Sequence, residues 1–137
     1  MNYQKFLKTA GLFLLLAPMV ELCNAQNGSW QPLWLSTTGY FKGVEGFYQL
    51  SSCNGTDVVF IKLINHNGYD VKTSWQDLVN NNSNNLSVSI KLTANTEDKG
   101  GCTGNDHQLI IKLKDYGLTA SNFKNLYLKN FDVIQIQ

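Results

Sequence analysis

The chain has 137 residues, the length of a single domain, and its 11 lysines against 10 carboxylates give a formal charge of +1. Arginine is absent, so the bidentate phosphate contacts of nucleic-acid binders have no source in this composition, and no run of the sequence forms a basic patch. Near-neutrality also excludes an electrostatic membrane binder.

The first segment, "MNYQKFLKTAGLFLLLAPMVELCNA", sets Lys5 and Lys8 ahead of an apolar run from Gly11 to Val20. Cys23 and Ala25 follow, at the small-residue positions of a cleavage site. This layout predicts a secretory signal peptide over residues 1–25, with an apolar run too short to span a bilayer. A lipid anchor through Cys23 is disfavoured by the bulky Leu22 before it. Residues 26–137 then form one exported domain, secreted or periplasmic, with no stable membrane insertion after cleavage. Lys5, Lys8 and Glu21 leave with the leader, so nine lysines and nine carboxylates balance.

The opening "WQPLWLSTTGYF" predicts an irregular first strand that Pro32 keeps at an edge. "GVEGFYQLSS" at 43–52 is the next strand. "DVVFIKLI" at 57–64 is apolar on nearly both faces, as a central strand is. "YDVKTSWQ", "LSVSIKLT" and "HQLIIKLK" alternate with period two. Their inward sets are Tyr69, Val71, Thr73 and Trp75, then Leu86, Val88, Ile90 and Leu92, then Leu109, Ile111 and Leu113. The terminal "NLYLKNFDVIQIQ" alternates too, slipping at Lys129 and Asn130, which predicts a bulge. "SWQDLV" and "TASNFKNL" are each long enough for one helical turn. The polar runs "NNNSNN" at 80–85 and "NTEDKGGCTGND" at 95–106 read as loops.

In "FIKLINHNGYDVKTSW" two strands flank an Asn-Gly pair. A three-residue hairpin loop of His66, Asn67 and Gly68 puts Val59, Ile61 and Leu63 on one face with Val71, Thr73 and Trp75, leaving that face free of charge. His66 is then a corner residue in solvent rather than a ligand or catalyst.

About seven short strands with few helices predict an all-β antiparallel sandwich. The run "VVFIKLINHNGYDVKTSW" resembles adjacent strands of immunoglobulin-like domains, which implies an immunoglobulin-like β-sandwich. Cys53 and Cys102, the pair left after leader cleavage, predict a disulfide.

Candidate chemistry is sparse. His66 and His107 form no metal-ligand spacing, and His107 reads as a strand-entry residue. The 95–106 loop offers Asn95, Glu97, Asp98, Asn105 and Asp106 to a hard cation, but Lys99 breaks the EF-hand pattern. No cofactor or metal is expected. No serine sits in a nucleophile turn and no cysteine is left free, so an enzyme is not expected. Aromatic residues are the surplus. Trp30, Trp34 and Tyr40, near the start of the domain, are the candidate ligand contacts, because flat exposed rings stack on sugars or anchor protein partners. The expected function is a small exported non-enzymatic module for surface binding, adhesion or structure, with a protein or glycan partner. The alternative is a carbohydrate-binding module that uses those aromatics.

Overall fold

The computed structural model describes residues 28–36, 38–103 and 107–137. The expected leader therefore lies outside the described residues, as do Asn105 and Asp106 of the polar loop. The described chain is all-β and its sheets are essentially antiparallel. Ten strands are formed: β1 (Gln31–Pro32), β2 (Trp34–Leu35), β3 (Tyr40–Phe41), β4 (Val44–Cys53), β5 (Thr56–Asn65), β6 (Val71–Val79), β7 (Asn82–Leu92), β8 (Glu97–Lys99), β9 (Ile110–Lys112) and β10 (Leu126–Gln135). Five are long; the rest are two- or three-residue pieces at sheet margins, so the expected seven strands become five principal ones with short additions. Single 3-10 turns at His107–Leu109 and Leu113–Tyr116 flank β9.

The first sheet has the order β1-β4-β5-β8, with β3 on β4 and β9 on β5. The second has the order β2-β10-β6-β7, in which β2 runs parallel to β10. Their inward faces share one core: Val44, Val59, Ile61 and Leu63 from the first sheet, Leu35, Val71, Trp75, Leu128 and Phe131 from the second. Trp75 lies at 5.9 Å from Phe131, ring stacked on ring. Pro32 ends the marginal strand β1, where a missing N–H costs no ladder bond.

β5 is the predicted central strand, flanked by β4 on one side and by β8 and β9 on the other. That occupancy overturns the hairpin expected between β5 and β6. Both lateral edges of β5 are taken, so β6 pairs with β10 and β7 instead. Residues 65–70 carry the chain from one sheet to the other. Val59, Ile61, Leu63, Val71, Thr73 and Trp75 do turn to one core, but Tyr69, also expected inward, precedes β6 on the corner and is 42% exposed.

The corner is held by Asn65, which is fully buried. Its amide donates to the carbonyls of Tyr69 and Thr93 at 2.9 and 3.1 Å, and its Oδ1 accepts from the backbone N–H of Asn67 at 3.0 Å. Two-residue hairpin turns are made instead by Lys42-Gly43, between β3 and β4, Asn54-Gly55, between β4 and β5, and Asn80-Asn81, between β6 and β7. All six residues have positive φ, the primed-turn geometry that matches strand twist.

The helical turn expected in "SWQDLV" is not formed, since that run belongs to β6, whereas in "TASNFKNL" the N–H groups of Asn122 and Phe123 donate to the Thr119 carbonyl and close a single turn that no helix continues. Leu86 also departs from its expected inward face and is 65% exposed. On β7, residues 84–86 span the gap that Asp77 alone spans on β6, and this bulge throws Leu86 out. The bulge expected at Lys129 and Asn130 is present. Asn130 is left-handed and the register shifts between Lys129 and Asp132, which turns Phe131 inward onto Trp75.

The cysteines form the predicted disulfide, with Cα atoms 5.3 Å apart across a separation of 49 residues. It ties the end of β4 to the segment after β8. A disulfide of this kind belongs to an oxidising compartment.

Candidate functional site

The three candidate aromatics occupy different surroundings. Trp30 lies over the outer face of the first sheet, half-buried, with the Lys62 ammonium 4.8 Å from its ring centroid. The same ammonium stands 4.8 Å from the Phe47 ring, so this cation is clasped between two aromatic faces. Tyr40 is 54% exposed at the corner end, 5.9 Å from the His66 ring. His66 lies in solvent as expected, but it has a partner: Nε2 is 3.0 Å from Glu45 Oε2.

Trp34 is the exception. It is 58% exposed, although Leu33 and Leu35 on either side are fully buried. Period two explains this: β2 spends its flanking residues on the core and must send Trp34 outward. The parallel register sets Trp34 beside Tyr127, and Tyr127 stands opposite Leu78. Tyr127 lies between buried Leu126 and Leu128, and Leu78 between buried Asp77 and Val79, so both also point outward. Trp34, Tyr127 and Leu78 thus form one row across three strands of the second sheet. With Asn81, Asn125 and part of Leu126 they line a groove of about 400 Å³. An indole face, a phenol and two primary amides in one open groove can stack a flat apolar surface and hydrogen-bond its polar rim.

Of the residues lining this groove the sequence singles out Trp34 alone; Tyr127, Leu78, Asn81 and Asn125 join it only through the fold. The alternation in "NLYLKNF" already sends Tyr127 away from its leucine neighbours. What the sequence does not show is the pairing of β2 with β10, which joins residues more than ninety positions apart.

A second hollow of about 280 Å³ lies beside the disulfide and is lined by Val58, Ile110, Lys112 and Lys114 among others. Among the described residues no group of three or more His, Cys, Asp or Glu side chains could hold a metal ion. No described helix is long and apolar enough to cross a membrane.

Among the described residues one carboxylate is buried in the core. Asp77 accepts a hydrogen bond from Trp75 Nε1 at 2.9 Å. Burial raises its pKa, and the indole bond only partly opposes that. Tyr116 is pushed up to about 12, first by burial and then by the charge of Asp77. Both face inward, away from the groove, Asp77 buried and Tyr116 packed against the core.

Comparison with known proteins finds no matching family model and no similar curated protein. The class is therefore defined by the structure itself: a disulfide-tied, all-β domain of two sheets with an aromatic groove on one outer face.

Proposed function

We propose that the protein is an exported binding module whose working surface is the outer face of the second sheet, where Trp34 and Tyr127 stack on the ring of a saccharide. The observation that carries this reading is the exposed Trp34 in register with Tyr127 and Leu78, rimmed by Asn81 and Asn125. A pyranose presents a C–H face to an aromatic ring and hydroxyls around its edge. The groove offers the matching pair, flat apolar surface in the middle and amides at the rim.

Export is supported by the leader pattern in residues 1–25 and by the oxidised cysteine pair. The scaffold supports an immunoglobulin-like description in its layering, two sheets around one core with a buried tryptophan. Its chain passes from β5 to β6 across the two sheets, as strands B and C of that fold do, while β4–β5 and β6–β7 are hairpins within a sheet.

The test is a glycan array followed by titration calorimetry on the best ligand. Trp34→Ala should weaken binding by at least about tenfold, the scale of losing a stacked aromatic anchor. Trp30→Ala should leave binding unchanged, because its ring already covers Lys62. An unaltered affinity in Trp34→Ala would remove the groove from consideration.

A further inference from the structure

The outward positions of the second sheet continue the groove as a set of ordered rows. Below Trp34, Tyr127 and Leu78 comes the row of Lys129, Gln76 and Ser87. Then come Asp132, Ser74 and Ser89, and finally Ile134, Lys72 and Lys91. From Leu78 to Lys72 the face runs six residues along β6, about 20 Å at the usual rise of a strand. Apart from Ile134, every side chain below the first row is polar, and several are small. Such a face offers polar contacts along its length.

The charges on this face are unequal. Asp132 is paired with Lys42 at 2.8 Å, and Lys91 with Asp70 at 2.6 Å. Lys129 and Lys72 have no carboxylate partner among the described residues. Lys124, next to the groove residue Asn125, has none either. No outward carboxylate on the three long strands of this sheet lacks a cation. Because residues 26–137 hold equal numbers of lysines and carboxylates, the excess is local, and the balancing acids lie elsewhere.

From this we infer that the saccharide taken by the groove is acidic, a uronic-acid chain whose carboxylate meets Lys129 while a neighbouring ring stacks on Trp34 and Tyr127. The inference rests on the saccharide reading and names the ligand's class. Lys129 is two residues from Tyr127 on the same face of β10, about 7 Å away along the strand. That separation lets a stacked sugar and a charged substituent on the same chain be held together. An ammonium ion against a carboxylate is the stronger kind of hydrogen bond, and here it replaces no existing partner. A nucleic acid is the weaker fit to the same cations, since without arginine the face has no planar, bidentate phosphate clamp.

The experiment titrates the mature domain with an oligogalacturonate, its fully methyl-esterified form, a neutral oligosaccharide panel and single-stranded DNA. The ester keeps the backbone and removes the charge. The expected result is binding of the free acid that falls at least about tenfold on esterification and by a similar factor in Lys129→Gln, with the acid's affinity declining as salt is raised. Trp34→Ala should weaken both acid and ester. Equal binding of acid and ester, or an unchanged Lys129→Gln, overturns the acidic assignment while the saccharide reading stands. Single-stranded DNA bound as tightly as the acid overturns it as well. Acid binding that ignores Trp34→Ala, or no binding of any glycan, overturns both.

Discussion

At the residue scale, burial decides what each polar group does. Asn65 sits in the core because its amide replaces a turn's worth of backbone partners, and a buried polar group is tolerated when its bonds are made. Asp77 is less well served. Its raised pKa means that the unfolded chain ionises at lower pH than the folded one, so ionisation near neutrality favours unfolding. Its stabilising contribution is present at low pH and is lost as pH rises through the folded pKa. Asp77→Asn should therefore melt higher than the parent at pH 7, since asparagine removes the buried charge and still accepts from Trp75. The gap should close as pH falls through the raised pKa towards 3.8. Asp70 and Asp132, held low by Lys91 and Lys42, titrate alike in both proteins and cancel from the difference. A variant that melts lower than the parent at pH 7 would show the charge to be compensated.

At the element scale, two Asn-Gly pairs have different outcomes. At 54–55 the pair makes a two-residue hairpin turn, since β4 and β5 are neighbours in one sheet. At 67–68 it makes a corner. Local chemistry is the same in both; what differs is that β5 has no free edge for β6. Strand faces are legible from alternation, as is the bulge at Asn130, because side-chain direction is a local property; Leu86 and Tyr69 depart from it where a bulge and a corner interrupt the strands. Pairing was not, since it depends on which distant edges are already filled. The corner leans on the turn between β3 and β4: His66 N donates to the Gly43 carbonyl at 2.8 Å, and Asn67 Nδ2 to the Lys42 carbonyl at 3.0 Å. Gly43 has φ of +79°, and a Cβ there would lie 2.2 Å from Asn67 Oδ1. Gly43→Ala should cost about 1–3 kcal/mol, combining left-handed strain with displacement of Asn67. Denaturant melts would measure it. Gly55→Ala, also left-handed but with open space around it, should cost less. Equal losses would mean that the Asn67 contact contributes nothing.

For the whole molecule, one disulfide and one shared core account for the architecture. Cys53 and Cys102 close a loop of about fifty residues, worth roughly 4 kcal/mol by chain entropy. Against the usual net stability of about 5–15 kcal/mol, that is a large share. The double variant Cys53→Ser, Cys102→Ser should melt markedly lower than the parent, and an unchanged midpoint would refute the tie's importance. The all-β antiparallel class, the disulfide and the exposure of Trp34 could be read from the sequence because each depends on residue type and short-range pattern. The groove could not, since it is assembled by β2 lying parallel to β10 and by the second sheet's particular strand order. The whole account turns on that outer face being where a ligand sits. Amide and indole chemical-shift mapping of the labelled protein, titrated with the best glycan, tests it most directly. The account predicts shifts concentrated at the Trp34 indole N–H, Tyr127, Leu78 and Lys129. Shifts confined to the hollow lined by Lys112 and Lys114, or none at saturating ligand, would contradict it.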